Sequence, residues 1–252
     1  MNMAVGSPLD AFRGHSLADQ ASARLMNRTD TKFLVSVPVL DSCLRGLERD
    51  YSVLEMGGAR RFQYDTLYFD TPDRQLYRDH HNGKLNRFKL RIRHYRETGE
   101  SYLEVKKKDN RQRTVKNRIL LSSDVFARNL LRQFLEHQSG LSAAGMQPTL
   151  FVGYQRATLL NKQGTERITL DTGLSFHSPD RRCTAELSDL AIIEVKYDRK
   201  APSSPLLDRL RQLGCRPVTF SKYCVGSGLL FGHELKTNRF KPLLRSLHGI
   251  GC

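Results

Sequence analysis

One strand-length segment constrains the fold of this chain more than any other, the sequence RFKLRIRHYR at residues 87–96. Charged and apolar side chains alternate along it with a period of two, which is the period of a β-strand and not of a helix. The charged face consists of Arg87, Lys89, Arg91, Arg93 and Tyr95. Four cations on one strand face repel one another unless an anion meets them. The segment therefore predicts a β-sheet with a basic face that is turned toward an anionic ligand.

The same alternation recurs in residues 28–37, 101–108, 114–120, 150–159, 166–171 and 191–198. Residues 87–120 are interpreted as three neighbouring strands that form a basic meander. The polar faces of the recurring segments carry Asp30, Lys32, Tyr102, Glu104, Lys106, Lys108, Lys116, Arg118, Tyr154, Arg156, Arg167, Thr169, Asp171, Glu194 and Lys196. Carboxylates thus share strand faces with the cations.

Between these strands, apolar residues recur at helical spacing in the segments 38–48, 124–137, 204–213 and 221–230. The apolar stripes of such helices must bury against another layer. The sequence therefore predicts an α+β fold, in which an eight-stranded antiparallel β-barrel has its helices packed on the outside and its charged faces inside. Residues 1–24 are expected to be a flexible leader, 25–232 the barrel domain and 233–252 a basic C-terminal tail.

The net charge of +15, from 41 Lys and Arg against 26 Asp and Glu, also calls for an anionic partner. Nucleic acid, an acidic membrane surface and a polyphosphorylated small molecule all fit the charge alone. Nucleic acid fits the pattern poorly, because Glu104, Asp171 and Glu194 would repel a phosphate backbone. A carboxylate among phosphates makes sense when a metal ion lies between them.

Several other classes of protein are excluded by what the sequence lacks. It has no P-loop, dinucleotide-binding or zincin motif. Its five cysteines are far apart, so neither a disulfide framework nor a zinc site is indicated. No apolar run suits a membrane span and the N-terminus does not read as a signal peptide, so a cytoplasmic location is expected. We interpret His80 and His81 as a solvated loop pair, and Lys107, Lys108, Arg111 and Arg113 as solvated hairpin cations.

The order of these segments resembles the VTC domain, the polyphosphate polymerase domain of the triphosphate tunnel metalloenzyme (CYTH-like) superfamily. The similarity rests on the first strand ending in Lys32 and on the motifs TLYFDTPD, KLRIRHY, YLEVKKK, ERITLD, IIEVKYD and FSKY, and it covers roughly residues 25–230. It implies an eight-stranded antiparallel tunnel that binds a nucleoside triphosphate such as ATP. It also implies a Mn²⁺ or Mg²⁺ ion held on a glutamate, and elongation of inorganic polyphosphate.

Carried over motif by motif, the resemblance implies roles for individual side chains. Arg91, Arg93, Lys106 and Glu194 are the expected catalytic residues. The expected phosphate-binding residues, which include Lys89 of the same face, are Lys32, Lys89, Arg91, Arg93, Lys106, Lys116, Arg118, Arg156, Arg167, Lys196 and Lys222. The expected metal ligand is Glu194, with Glu104 and Asp171 as second choices, since hard cations take carboxylate oxygen.

One position departs from the family pattern, because Asp30 stands where the first strand of the family typically presents a glutamate. We expect Asp30 to orient Lys32 or an arginine, since residues two apart on a strand share a face. The leading function is transfer of the γ-phosphate of ATP to a polyphosphate chain. A triphosphatase or polyphosphatase and a non-catalytic polyphosphate-binding module are the alternatives. Pyrophosphate is a further expected ligand, nucleic acid is not expected, and a membrane protein that receives the polymer is left open as a partner.

Overall fold

The computed structural model describes residues 7–22, 28–111, 113–121, 126–198 and 204–248. The strands are β1 Arg13–His15, β2 Arg28–Ser36, β3 Tyr51–Leu54, β4 Phe62–Asp70, β5 Arg87–Tyr95, β6 Ser101–Lys108, β7 Thr114–Leu120, β8 Gln147–Asn161, β9 Glu166–His177, β10 Thr184–Leu187 and β11 Leu190–Asp198. The helices are α1 Leu17–Ser22, α2 Val37–Leu44, α3 Gln75–His81, α4 Phe126–Ser139, α5 Pro205–Gln212, α6 Lys222–Phe231 and α7 Lys241–His248. No helix of this described part is long and apolar enough to cross a membrane.

The chain divides into two compact units. Unit 1 comprises Met1–Phe62, Gln155–Leu174 and Ser188–Phe220, and unit 2 comprises Gln63–Tyr154, Ser175–Leu187 and Ser221–Cys252. Strands β8 and β9 have residues in both units.

In unit 1, β11 pairs in antiparallel fashion with both β2 and β9. The apolar face of these strands, which includes Phe33, Val35, Ile193 and Val195, is buried in one core with residues of α2 and α5. Helix α5 begins where the Ser204 hydroxyl accepts a hydrogen bond from the Leu207 amide. The alternation read from the sequence therefore directs the apolar side chains into this core and leaves the charged side chains on the other face.

In unit 2, β5, β6 and β7 pair in sequence order as the predicted antiparallel meander, and β4 extends it by pairing with β5. The apolar face of the meander packs with α3 and α4 in a core that includes Leu76, Leu90, Leu103, Val105 and Leu135. Helix α6 is almost wholly buried and is capped by Ser221, whose hydroxyl accepts from the Cys224 amide. The charged face of the meander therefore lies on the side of the sheet that is turned away from this apolar core.

The α+β class and a large, mainly antiparallel sheet are confirmed. The described residues contain eleven strands rather than eight. The three additional strands, β1, β3 and β10, have only three or four residues each. No ladder among these residues pairs β7 with β2, so the closed barrel stays a prediction.

The structure differs from two expectations at the chain ends. Within the expected leader, Leu9 and Phe12 are buried in the unit 1 core and β1 pairs with β3. Within the expected tail, residues 241–248 form α7, with Leu244 and Leu247 buried. The elements β1 and α1 of the expected leader escaped prediction because three and six residues are too few for a period to be seen.

Candidate functional site

The residues predicted to form the site fall into two groups, one in each unit. Unit 1 holds Lys32, Arg156, Arg167, Asp171, Glu194 and Lys196. Unit 2 holds Lys89, Arg91, Arg93, Glu104, Lys106, Lys116, Arg118 and Lys222. Within each unit, the register of the paired strands decides which side chains meet.

In unit 1, Glu194 lies at the centre of a group of alternating charge. The register of β2 and β11 sets Lys32 opposite Glu194 and Asp30 opposite Lys196. The Lys32 Nζ lies 3.3 Å from Glu194 Oε1, and the Lys196 Nζ lies 2.6 Å from Glu194 Oε2. Lys196 Nζ also lies 3.7 Å from Asp30 Oδ2. Each oxygen of Glu194 therefore already contacts an ammonium group.

This arrangement gives Asp30 a partner that the sequence did not suggest. Ion pairs join Lys32 to Glu194 and Asp30 to Lys196. Side chains directly opposite on paired strands have Cβ atoms about 5 Å apart, whereas residues two apart on one strand are separated by nearly 7 Å. The cross-strand neighbour is thus the nearer partner, and register could not be read from the first strand alone.

The charges of this group shift one another's ionisation. Burial alone would raise the pKa of Glu194, but the ammonium groups of Lys196 and Lys32 outweigh burial and hold it well below its usual range. Burial lowers the pKa of Lys196, against the opposing effect of Glu194 and Asp30. The carboxylate is therefore ionised at neutral pH, as a metal ligand must be.

The second carboxylate of unit 1, Asp171, is 1% exposed and forms a two-armed pair with Arg156. Arg156 Nε donates to Oδ1 at 2.6 Å and Nη2 donates to Oδ2 at 2.8 Å. Both Asp171 oxygens are thereby engaged by one planar guanidinium group. Arg167 lies opposite Lys196 in the β9–β11 register, on the same face.

In unit 2, the predicted site residues include one buried carboxylate, Glu104, which is 1% exposed. Arg91 lies opposite it on β5, and its Nε and Nη2 atoms lie 2.7 and 2.6 Å from Glu104 Oε2. Lys116 of β7 forms an ion pair with Glu104 Oε1. Arg91 Nη1 also donates to the hydroxyl of buried Tyr68 at 3.2 Å. Arg91 is therefore fixed by an anion on one side and a phenol on the other.

These contacts govern the ionisation of the unit 2 group. Burial opposes ionisation of Glu104, but the positive charges of Arg91, Arg93 and Lys116 lower its pKa to about 2. Burial lowers the pKa of Lys116 to about 8, although Glu104 opposes this shift.

Arg93 is 6% exposed, and its guanidinium lies over the rings of Tyr64 and Tyr154, at 5.3 and 6.0 Å from their centroids. Its Nε atom is buried and has no hydrogen-bond partner among the described residues. A buried donor without a partner costs free energy. Arg93 is therefore a cation that is packed on aromatic faces and poised to donate to a further acceptor.

The remaining predicted cations of unit 2 lie around this centre. Lys89 Nζ contacts the Ser221 hydroxyl at 2.9 Å, and Lys222 Nζ lies 4.3 Å from the centre of the Tyr154 ring. Arg118 lies over Tyr102 at 4.5 Å. Lys106 is exposed on β6.

Sequence reasoning missed Tyr68 and Tyr64 as parts of the site. Both lie on β4, which pairs with β5. In this register Tyr68 lies opposite Arg91 and Tyr64 lies opposite Tyr95. Tyr64 stacks on Tyr154 at 5.3 Å between ring centres. The alternation in RFQYDTLYFD was the available signal, but it was obscured because this face carries tyrosine where the other strands carry charge.

The arrangement of these residues suits a divalent cation that takes one carboxylate from the protein and its other ligands from phosphate and water. Among the described residues, no group of three or more His, Cys, Asp and Glu side chains could form a protein cage. Mg²⁺ is commonly held by one or two carboxylates, with phosphate oxygens and water as the other ligands. Glu194, whose side chain is 18% exposed, fits this mode if a cation replaces one of its lysines. Glu104 and Asp171 fit it poorly, because they are buried against arginine.

The sequence profile of the VTC domain matches residues 27–231. The chain belongs to the VTC domain family, which confirms the resemblance read from its motifs.

Solved structures that are similar to this chain include a proposed adenylyl cyclase from Hippeastrum, described as having a dominant triphosphatase activity. It has a TM-score of 0.50 and 16% identity, over 84% of this chain and 100% of that one. A proposed adenylate cyclase from Bacillus halodurans has a TM-score of 0.49 and 14% identity, over 78% of this chain and 96% of that one. At 16% identity the likeness to the Hippeastrum protein concerns the fold alone. No curated protein sequence matches the chain.

Proposed function

We propose that this chain is a metal-dependent phosphotransferase that acts on nucleoside triphosphate and inorganic polyphosphate, adding the γ-phosphate of ATP to a polyphosphate chain. Membership of the VTC domain family supports this assignment. So do the two groups of arginine and lysine, each arranged around carboxylates on paired strands.

The observation that carries the proposal is Arg93. Its side chain is buried, yet its Nε donor has no acceptor among the described residues, and the neighbouring Glu104 is engaged by Arg91 and Lys116. A phosphate oxygen is the acceptor that a guanidinium fork suits best. The proposal therefore places a phosphoryl group at the face shared by Arg91 and Arg93.

The chemistry asked of the protein is positioning and charge neutralisation, because phosphoryl transfer needs little covalent help. Glu104 and Tyr68 hold Arg91 in place before the ligand arrives, so little side-chain freedom is lost on binding. Tyr64 and Tyr154 hold Arg93 in the same way. The preset guanidinium groups would then stabilise the negative charge of the transferred group.

In unit 1, Lys32 and Lys196 would contact phosphate oxygens, and Glu194 would hold the metal ion. A bound Mn²⁺ or Mg²⁺ ion would neutralise phosphate charge and polarise phosphate oxygens. Asp30 would keep Lys196 oriented when Glu194 exchanges this lysine for the metal.

A non-catalytic polyphosphate-binding module is the second candidate, favoured by one observation. Each of the three carboxylates considered as metal ligands already contacts a cation of this chain. If none of these contacts is exchanged, the cations would bind polyphosphate without transferring it.

The test is to incubate the purified protein with ATP and Mn²⁺ and resolve the products by gel electrophoresis and phosphorus NMR. Polymer with ADP would support the polymerase, and phosphate with ADP would identify a triphosphatase. Bound polyphosphate without turnover would identify the binding module.

The variant Arg91→Gln/Arg93→Gln tests the site within the same experiment. It should abolish both turnover and the rise in melting temperature that triphosphate gives to the wild type. The control is Arg182→Gln, because the Arg182 side chain is 86% exposed. An unchanged thermal shift in the double variant would remove Arg91 and Arg93 from the site.

A further inference from the structure

The charge pattern of the unit 2 meander changes along its strands. At the level of Arg91, the register runs Arg91, Glu104, Arg118 across β5, β6 and β7, so cations flank an anion. Two residues closer to the start of β5, the row is Lys89, Lys106, Lys116, and at the next level Arg87 lies opposite Lys108. Like charges directly opposite on paired strands are destabilising. At this end of the sheet the register therefore sets cation opposite cation, whereas at the Arg91 level it alternates the charges.

Side chains from outside the meander increase the positive charge at this end. We define the Arg87 cluster as Arg87, Lys89, Lys108 and Arg239. Arg87 contacts the imidazole of His80, Lys108 lies opposite Arg87 in the register, and Arg239 contacts the carbonyl of His81. Burial and the positive charges of these four residues lower the pKa of His80 to about 2. The pKa of Arg87 is itself lowered by burial and by Arg239. Cations from β5, from β6 and from the segment before α7 thus converge on one place.

The cluster is held in position by hydrogen bonds. Arg87 Nε donates to His80 Nδ1 at 3.3 Å, and Arg87 Nη1 donates to the Lys84 carbonyl at 2.8 Å. Arg239 Nη1 donates to the His81 carbonyl at 3.2 Å. His80 and His81 end α3 and His81 is buried, so they are not the solvated loop pair that the sequence suggested. The neutral imidazole of His80 accepts from Arg87 and sets the direction of the guanidinium.

The position of the cluster indicates the kind of anion that fits it. Arg87 and Arg91 share a face of β5 and are four residues apart, which corresponds to about 13 Å along a strand. A ligand that contacts both levels must therefore be a chain of linked phosphates, not one phosphoryl group. Single-stranded nucleic acid usually stacks its bases on aromatic side chains. Tyr64, Tyr95 and Tyr102 of this face lie toward the other end of β5 and pack on one another. Tyr68, which lies opposite Arg91, is buried.

We propose that the Arg87 cluster is a second anion-binding site, which holds linear polyphosphate beyond the phosphates contacted by Arg91 and Arg93. The identity of the ligand rests on the proposed function, whereas the preference for a long chain of phosphates rests on the spacing of the two levels. The proposal assigns Lys108 a binding role in place of the solvated one suggested by the sequence.

The test compares tripolyphosphate with long-chain polyphosphate, using the variant Lys108→Gln/Arg239→Gln. Binding of both probes is measured by titration calorimetry without metal, so the result does not depend on turnover. The matched control is Lys107→Gln/Arg182→Gln, which removes the same charge from unit 2. Lys107 lies on the opposite face of β6, over the ring of Phe88.

We expect the Lys108/Arg239 variant to bind long-chain polyphosphate about tenfold more weakly, as the loss of two charge contacts near the surface would give. Its affinity for tripolyphosphate should change less than twofold, and the control should bind both probes as the wild type does. An unchanged affinity for the long chain would overturn the proposal. So would equal losses in the variant and the control, which would reflect net charge only.

Two further outcomes separate this proposal from its alternatives. If a single-stranded oligonucleotide of matched charge binds the wild type more tightly than polyphosphate, and only its binding is lost in the variant, the site would belong to nucleic acid and the proposal would be wrong. If tripolyphosphate does not bind the wild type but long polyphosphate does, the proposed catalytic site fails while the Arg87 cluster is retained.

Discussion

Replacing Glu104 with glutamine is the sharpest test of the electrostatic arrangement in unit 2. Glutamine keeps the shape of the side chain and removes its charge, so Arg91 and Lys116 lose the anion that they share. The site is buried, because Glu104 is 1% exposed. Removing one partner of a buried ion pair is strongly destabilising, since the remaining charge has no compensation.

The magnitude follows from the pKa of Glu104, which falls from 4.5 to about 2 because the cations outweigh burial. A shift of about 2.5 units corresponds to about 3 kcal/mol of stability contributed by the ionised form. The folded-state pKa is depressed, so this contribution is fully present above the unfolded-state value of 4.5. It is lost as the pH falls through about 2. Glu104→Gln should therefore lose about 3 kcal/mol at pH 7 and about 2 kcal/mol at pH 3.5.

The assay is urea denaturation of the wild type and the variant from pH 7 to pH 3.5, without phosphate in the buffer. Glu136→Gln is the control, because Glu136 forms a solvent-exposed pair with Arg132 on α4. The control should change the free energy of unfolding by less than about 0.5 kcal/mol at every pH. A Glu104→Gln protein as stable as the wild type at pH 7 would refute the reasoning. So would a difference that does not narrow as the pH falls.

Three further predictions concern other parts of the molecule. Glu194→Gln should abolish manganese-dependent turnover yet keep metal-free polyphosphate binding, and turnover near the wild-type rate would exclude Glu194 as the metal ligand. Asp30→Asn should weaken phosphate binding by about twofold to threefold, because Lys196 loses one orienting partner. Asp30→Glu should give no gain in turnover, and a severalfold gain would assign Asp30 a direct role. Gly226→Ala should lower the free energy of unfolding by about 1–3 kcal/mol in urea, because its methyl group would collide with Phe176. An unchanged midpoint would contradict this.

The long strands and the faces they present could be predicted because alternation is a local property of the sequence. The segments containing Lys32, Arg91, Glu104 and Glu194 all form strands, and the polar faces are those that the period of two indicated. The helices α2, α5 and α6 could be predicted because the recurrence of apolar residues at helical spacing is also a local property of the sequence.

The partners of individual side chains could not be predicted, because they depend on register. Nothing within the first strand shows that Lys32 meets Glu194, which lies far along the chain. The role of Tyr68 was hidden for the same reason, since its contact with Arg91 exists only once β4 pairs with β5. Short elements such as β1 and β10 were missed because a few residues cannot establish a period.

The three carboxylates considered as metal ligands differ in which cations of the chain would lose an anionic partner if the carboxylate bound a metal ion. If Glu104 turned to a metal ion, Arg91 would lose the anion that its burial requires, and if Asp171 did so, both arms of Arg156 would lose theirs. Such losses are costly where water cannot replace the missing anion. Glu194 is more exposed and contacts two lysines, one of which keeps Asp30 as a second partner. A lysine ammonium is also a flexible point charge that can follow a phosphate oxygen. Exchanging a cation of the chain for a metal ion therefore costs the least free energy at Glu194. This difference favours Glu194 as the ligand, and no pattern in the sequence contains it.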